Sequence, residues 1–283
     1  LKEAGCIALS NQDAPFKNAR VTQQCYHYAT GFDICVFTTP LDTALAHGGC
    51  MAEGPTSTKL GLAGNPESAE ISSLAQHLIL CEETGIKLHV SRITSKRALD
   101  MIISAQQKDL PVSADVALGN LYFNDEDCLT YNSLMHVTPV YRSKTDQLAL
   151  LQAVNDGQIS ICSNHHPHEL AAKMAPFAAA EAGISVLDSF ASALFNLVSI
   201  GKLTLQAAIN AVTTLPAKTI AQPLGALKAE GRADLCVVDM EAVVTLNSEE
   251  MASNGKNNPW LGQSLKGKVM CTINGGHIVY QAD

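Results

Sequence analysis

The stretch Ile159-Ser160-Ile161-Cys162-Ser163-Asn164-His165-His166-Pro167-His168, followed by Lys173, decides how the rest of the chain is read. Its first half alternates apolar and small residues, the pattern of a short buried strand. Its second half is a polar cluster of three histidines, an asparagine and a proline, placed where the strand must end and a loop begin. In barrel enzymes built from parallel strands, catalytic groups sit at that edge.

Working outward, the chain alternates short apolar runs with helical patterns. Strands are expected at 6–9, 33–38, 87–91, 112–117, 159–162 and 184–187. Helices are expected at 21–30, 66–84, 95–107, 145–155, 189–200 and 204–214. Residues 46–65, rich in glycine and polar side chains, read as one long loop. Residues 124–141 read as irregular. Strands that recur every ~25 to 40 residues with helices between them imply a parallel α/β arrangement. About six strand–helix units precede residue 220, whereas a closed eight-stranded barrel takes ~250 residues. The expected fold is therefore a (β/α)8 TIM-type barrel lacking its first units, over residues 1–221. After Gln222 the texture changes to short alternating strands joined by glycine turns, at 225–227, 231–239 and 268–280. Residues 222–283 are expected to form a small appended β-sheet subdomain. The chain opens on Leu1 in what reads as a helix end, and a missing natural beginning is expected.

Composition narrows the function classes. The 283 residues are 47% hydrophobic and 16% charged, as in an ordinary soluble globular protein. A formal net charge of -8 argues against a nucleic-acid-binding surface. No apolar run approaches the ~18 residues of a membrane span. Nine cysteines are scattered with no C-x-x-C pair, which predicts reduced thiols in a cytoplasmic protein.

The segment around Asn164 resembles the Asp-His-x-Pro-His segment of dihydroorotases, metal-dependent amidohydrolases of pyrimidine synthesis. The likeness extends through Leu1-Lys2-Glu3-Ala4-Gly5, Phe32-Asp33, Gly48-Gly49, Glu53-Gly54, Leu60-Gly61-Leu62 and Glu82-Glu83-Thr84-Gly85. It continues in Asp156-Gly157, Pro176-Phe177, Gly231-Arg232-Ala233-Asp234-Leu235 and Asn257-Asn258-Pro259-Trp260-Leu261-Gly262, which is similar to the family's Asn-Thr-Pro-Phe-x-Gly. The resemblance implies two divalent metals, held by imidazoles and carboxylates, that activate a bridging water for attack on a ring amide.

Four positions depart from what that chemistry needs. Asn11-Gln12-Asp13 stands where relatives have Asp-Asp-Gly. His89-Val90-Ser91-Arg92 stands for His-x-x-His, with the second, ligating histidine replaced. Leu118-Gly119-Asn120-Leu121 stands for Pro-His-His-Leu. Asn164 stands where the family's aspartate takes the proton from the metal-bound water. A guanidinium has no lone pair to offer and repels a dication. Gly119 has no donor atom, and Asn11 and Asn120 offer only neutral oxygens. An amide at 164 cannot cycle a proton near neutral pH.

Other candidates keep two readings. His165, His166 and His168 are either polar loop remnants or a new metal site. His89 reads as a hydrogen-bonded core histidine. Arg142, in the position of the arginine of the family's Asn-Pro-Pro-Leu-Arg, either anchors a carboxylate or caps a loop by a salt bridge. Thr138 replaces the expected asparagine there, and Thr39 and Leu41 replace the histidine and glutamate of His-x-Glu-Asp. The resemblance thus implies a non-catalytic, dihydroorotase-like scaffold or assembly subunit that needs no cofactor. Its implied partner is the catalytic subunit of aspartate carbamoyltransferase, and homo-oligomers are possible. The alternative is an active cyclic amidohydrolase with zinc. A third reading is a barrel that binds a small anion through Arg142 and His168 without turning it over.

Overall fold

The computed structural model describes residues 1–11, 15, 16 and 18–282. A single 3-10 turn, Lys2–Ala4, ends at Gly5 with φ 93, a left-handed stop that glycine adopts without strain. Strand β1 (Ala8–Ser10) follows, then helix α1 (Ala19–Thr30), whose first turn is capped by the Asn18 side chain accepting from the Val21 amide. Next come β2 (Cys35–Thr38) and the short α2 (Thr43–Ala46), capped by Asp42.

The span expected to be one loop is built from defined pieces: β3 (Met51–Ala52), α3 (Pro55–Leu60) and β4 (Gly64–Asn65). β3 and β4 pair in parallel, with Met51 beside Gly64. Glycine is what permits the approach. A Cβ on Gly49 would lie 2.5 Å from the Asn65 amide nitrogen, and one on Gly64 would lie 2.7 Å from Glu53 Cα. The glycine content that suggests a loop instead serves close backbone packing.

Helix α4 (Glu67–Thr84) is closed by left-handed Gly85, and β5 (Leu88–Val90) is buried throughout. Ser95 caps α5 (Lys96–Gln106), which leads to β6 (Val112–Ala117) and directly into α6 (Leu118–Tyr122). Short 3-10 turns fill the irregular stretch before α7 (Lys144–Asn155), capped by Ser143. β7 (Ser160–Cys162) completes the main sheet, followed by α8 (Phe190–Ser199), α9 (Leu205–Val212) and α10 (Thr214–Thr219).

The main sheet is parallel, ordered β1-β2-β5-β6-β7. Its register aligns Phe37, His89 and Ser113 in one row. The carboxyl ends of the strands therefore share one edge, which carries the segments starting at Thr39, Ser91, Leu118 and Ser163. Leu74, Ile86, Leu88, Val90, Ile93, Ile102, Leu150 and Ile159 are buried between the sheet and its helices. Burying each such side chain contributes about 2 kcal/mol.

Two expected strands are absent. Residues 184–187 are extended and partly buried but join no ladder. Their amides are taken elsewhere: Ser185 donates to the Asn257 carbonyl and Val186 to His165 Nδ1. Gly225 and Ala226 form a bend, and Leu227 joins no strand. The C-terminal region is an antiparallel sheet of β8 (Leu235–Thr245), β9 (Ser264–Asn274) and β10 (His277–Gln281), in the order β10-β9-β8. It docks on α8, where Ser192 Oγ donates to the Gly267 carbonyl at 2.7 Å. A Cβ on Gly267 would sit 2.6 Å from Phe195 Cβ. Trp260 is fully buried against Tyr122 and Phe123, joining the segment before β9 to the end of α6.

Candidate functional site

At the base of the strand-end edge lies a buried polar row. His89 Nδ1 is 2.8 Å from Ser113 Oγ, and His89 Nε2 is 2.8 Å from Asp115 Oδ2. The other Asp115 oxygen accepts the Arg92 backbone N–H at 2.7 Å. Burial pushes the Asp115 carboxyl up, but the hydrogen bond and charge of His89, with the Cys162 thiol and the Arg92 amide, hold it below the usual carboxylate value. Burial and the adjacent Asp115 charge push the Cys162 thiol well up, so it stays protonated. Both carboxylate oxygens of Asp115 are thus committed inside the protein.

Above this row stands Arg92, in a left-handed conformation with φ 59. Its Nη2 and Nε donate to Thr39 Oγ1 at 2.8 and 3.2 Å, and its Nη1 donates to Asn164 Oδ1 at 3.1 Å. Asn164, also left-handed at φ 48, donates from Nδ2 to the Thr138 carbonyl at 3.1 Å. The guanidinium therefore lies between the ends of β2 and β7, at the positions the sequence resemblance assigns to a metal ligand and a general base.

The next pair of positions is closed by an aromatic ring. Gly119 and Asn120 are buried on α6. A Cβ on Gly119 would meet Tyr141 Oη at 2.7 Å. Tyr141 is itself buried, and its hydroxyl has no protein hydrogen-bond partner among the described residues. Asn120 Nδ2 faces the Val140 carbonyl at 3.5 Å. Asn11 follows β1 at the same edge and is half-buried, while Gln12 and Asp13 lie outside the described residues.

Arg142 is buried and held by its own shell. Nε donates to Thr94 Oγ1 at 2.8 Å, Nη1 to the Asn65 carbonyl at 3.2 Å, and Nη2 to the Pro66 carbonyl at 3.4 Å. Glu70 Oε2 lies 3.6 Å from Nε. Burial raises the Glu70 carboxyl, while Arg142 and the Thr94 and Ser95 donors pull it back. Arg142 also lines a cavity of about 390 Å³ over the strand ends, together with Thr39, Pro40, Arg92, Thr94 and Thr138.

The histidine loop does not converge on that cavity. His168 donates its backbone N–H to Asn257 Oδ1, its Nε2 is 3.1 Å from the Ala182 carbonyl, and its ring stacks on His166. His165 Nδ1 accepts the Val186 amide, and burial lowers the His165 pKa, so the ring sits there neutral. Lys173 is buried, with Nζ donating to the Ser133 and His136 carbonyls, and burial lowers its pKa to about 8. Among the described residues, no three His, Cys, Asp or Glu side chains come together in a way that would hold a metal ion.

The residues present therefore do not fit a pair of divalent ions. The described donors beside Arg92 are neutral oxygens, Asp115 is spent on His89 and a backbone amide, Glu70 is spent on Thr94, Ser95 and Arg142, and a fixed positive charge occupies the gap. Sequence reasoning missed Asp115, Glu70 and Tyr141. The first two carried a usable signal, an acidic residue inside an otherwise apolar strand or helix face, which is rarely buried without a partner.

The five parallel strands, the helices around them and the appended antiparallel sheet are those of part of a TIM-type barrel. L-hydantoinase from Arthrobacter aurescens has the same fold, with a TM-score of 0.89 at 19% identity over 99% of this chain and 66% of its own. A D-hydantoinase follows at 0.83 and 18%. The family model described as "Dihydro-orotase-like" matches residues 1–98. The "Dihydroorotase-like protein" of Pseudomonas aeruginosa is 40% identical over 282 residues, 99% of this chain. The "Dihydroorotase" of Syntrophus aciditrophicus is 35% identical over 284 residues, covering 100% of this chain and 67% of its own. The chain belongs to the dihydroorotase-like family. It spans 66% of the length of its Pseudomonas aeruginosa relative.

Proposed function

We propose that this chain is a non-catalytic dihydroorotase-like protein of pyrimidine biosynthesis, acting in the cytoplasm as a scaffold or assembly subunit for the catalytic subunit of aspartate carbamoyltransferase. The observation that carries the non-catalytic part is the Arg92 guanidinium donating to Asn164 Oδ1 at 3.1 Å. Hydrolysis of a cyclic amide needs an activated water and a base to take its proton. Here the base position is an amide whose oxygen already accepts from a permanent cation.

Support for the scaffold part is of a different kind. The packing of the barrel is kept, with a continuous core from Tyr26 to Leu265, while the groups that would do chemistry are replaced. A relative at 40% identity bears the name "Dihydroorotase-like protein" rather than that of the enzyme. Relatives at 33–35% identity are named dihydroorotase, which keeps a zinc-dependent hydrolase as the reading to be tested against this one.

Co-expression of the full protein with aspartate carbamoyltransferase tests the proposal. The two should co-purify, and the transferase should lose activity when this protein is withheld. Separate migration, with transferase activity unchanged, would contradict the scaffold role. Hydrolysis of dihydroorotate by the purified protein would contradict the non-catalytic one.

A further inference from the structure

We propose that Arg92 is the resident cation of this barrel mouth, a covalently held replacement for bound metal that ties the strand ends together. The inference deepens the non-catalytic reading and rests on it. Arg92 lies just past β5 and reaches three other strands. Its guanidinium binds Thr39 after β2 and Asn164 after β7, and its backbone N–H binds Asp115 within β6. Asn164 passes the tie on to the Thr138 carbonyl in the loop over the cavity.

The chemistry supports this division of labour. Oxygens crowded at parallel strand ends repel one another unless a cation or donors lie among them. A guanidinium supplies five N–H donors in one plane, stays charged at every relevant pH and is weakly hydrated. It therefore satisfies those oxygens without an ion to lose to a chelator. Arg92 adopts left-handed backbone, which is costly for a long side chain and persists where surrounding contacts impose it.

Thermal unfolding of the whole protein provides the test. Wild-type protein should melt at the same temperature in chelator as in added zinc. Arg92→Ala should melt lower by about 4–8 °C, with Arg92→Lys recovering part of the loss. Guanidinium chloride at about 10 mM should raise the melting temperature of Arg92→Ala above that in equal potassium chloride, because a ligand that binds only the folded state stabilises it. If Arg92→Ala does not fold, Thr39 carries the test. Thr39→Val should lower the melting temperature, and Thr39→Ser, which keeps the oxygen, should not.

A zinc-induced rise in the wild type would overturn the proposal. So would an Arg92→Ala protein as stable as wild type, guanidinium no better than potassium, or equal effects of Val and Ser at 39. These are stability readouts, so a failure of carbamoyltransferase binding with guanidinium rescue intact would overturn only the scaffold role.

Discussion

Arg92 Nη1 and Asn164 Oδ1 face each other at 3.1 Å across the ends of β5 and β7. On the non-catalytic reading proposed above, it is the pair rather than either side chain alone that opposes hydrolysis. Arg92 fills space and charge where an electron-pair donor is needed, and Asn164 spends its oxygen on that charge.

An acid at 164 should therefore create no active site. Asn164→Asp turns the guanidinium–amide contact into an ion pair, but it also removes the Nδ2–H that Asn164 donates to the Thr138 carbonyl. Aspartate also tolerates left-handed backbone. The gain and the loss oppose each other, so the variant should melt within about 2–4 °C of wild type and show no dihydroorotate hydrolysis above background. Turnover from this single change would show that the remaining positions still hold metal.

Gly119 should be coupled to Tyr141. Gly119→His drives a side chain into the buried phenol, since even a Cβ would lie 2.7 Å from Tyr141 Oη. Overpacking of this kind costs about 1–3 kcal/mol. Urea unfolding of Gly119→His, Tyr141→Ala and the double variant should reveal a favourable coupling of at least about 1 kcal/mol. Additive losses would mean that the two sites relax independently.

The His89–Asp115 pair is a structural element in which both ring nitrogens and both carboxylate oxygens are already hydrogen-bonded. Asp115→Ala leaves His89 and the Arg92 amide without their acceptor, and breaking a buried pair by removing one partner costs about 3–5 kcal/mol. The urea midpoint should fall accordingly. A loss near zero would mean the pair contributes nothing to the fold.

Most of the fold was legible in the sequence because its signals were local. Residues 66–84 had helical spacing closed by Gly85, and the helix runs Glu67–Thr84 with that glycine left-handed. The apolar runs at 33–38, 87–91 and 112–117 became neighbouring parallel strands. What was not legible depended on partners far away in the chain. Residues 184–187 have a strand-like composition, yet their amides are claimed by Asn257 and His165. At the site, the replaced positions could be read singly. That Thr39 and Asn164 would share one guanidinium could not, because their separation in sequence hides a common register at the sheet edge. Nor could the burial of Arg142 against Glu70, which lies 72 positions earlier in the chain.

Acid should weaken the protein through His77. This imidazole is buried between Tyr26 Oη at 2.7 Å and Thr38 Oγ1 at 3.2 Å, and burial lowers its pKa from 6.5 to about 4. The folded state thus keeps the ring neutral while the unfolded chain protonates below pH ~6.5. Stability fully present above that pH is lost as the pH falls towards 4, by about 3 kcal/mol in all. Urea unfolding at pH 7.5 and 5 should show the decline, and His77→Gln should flatten it. An unchanged slope in that variant would assign the acid sensitivity to other groups.

The most direct measurement is metal content. The full protein, incubated with excess zinc, freed of unbound ion by gel filtration and assayed by elemental mass spectrometry, should carry far less than one ion per chain. One or two tightly held ions per chain, lost on chelation and regained on adding zinc, would contradict the account at its centre.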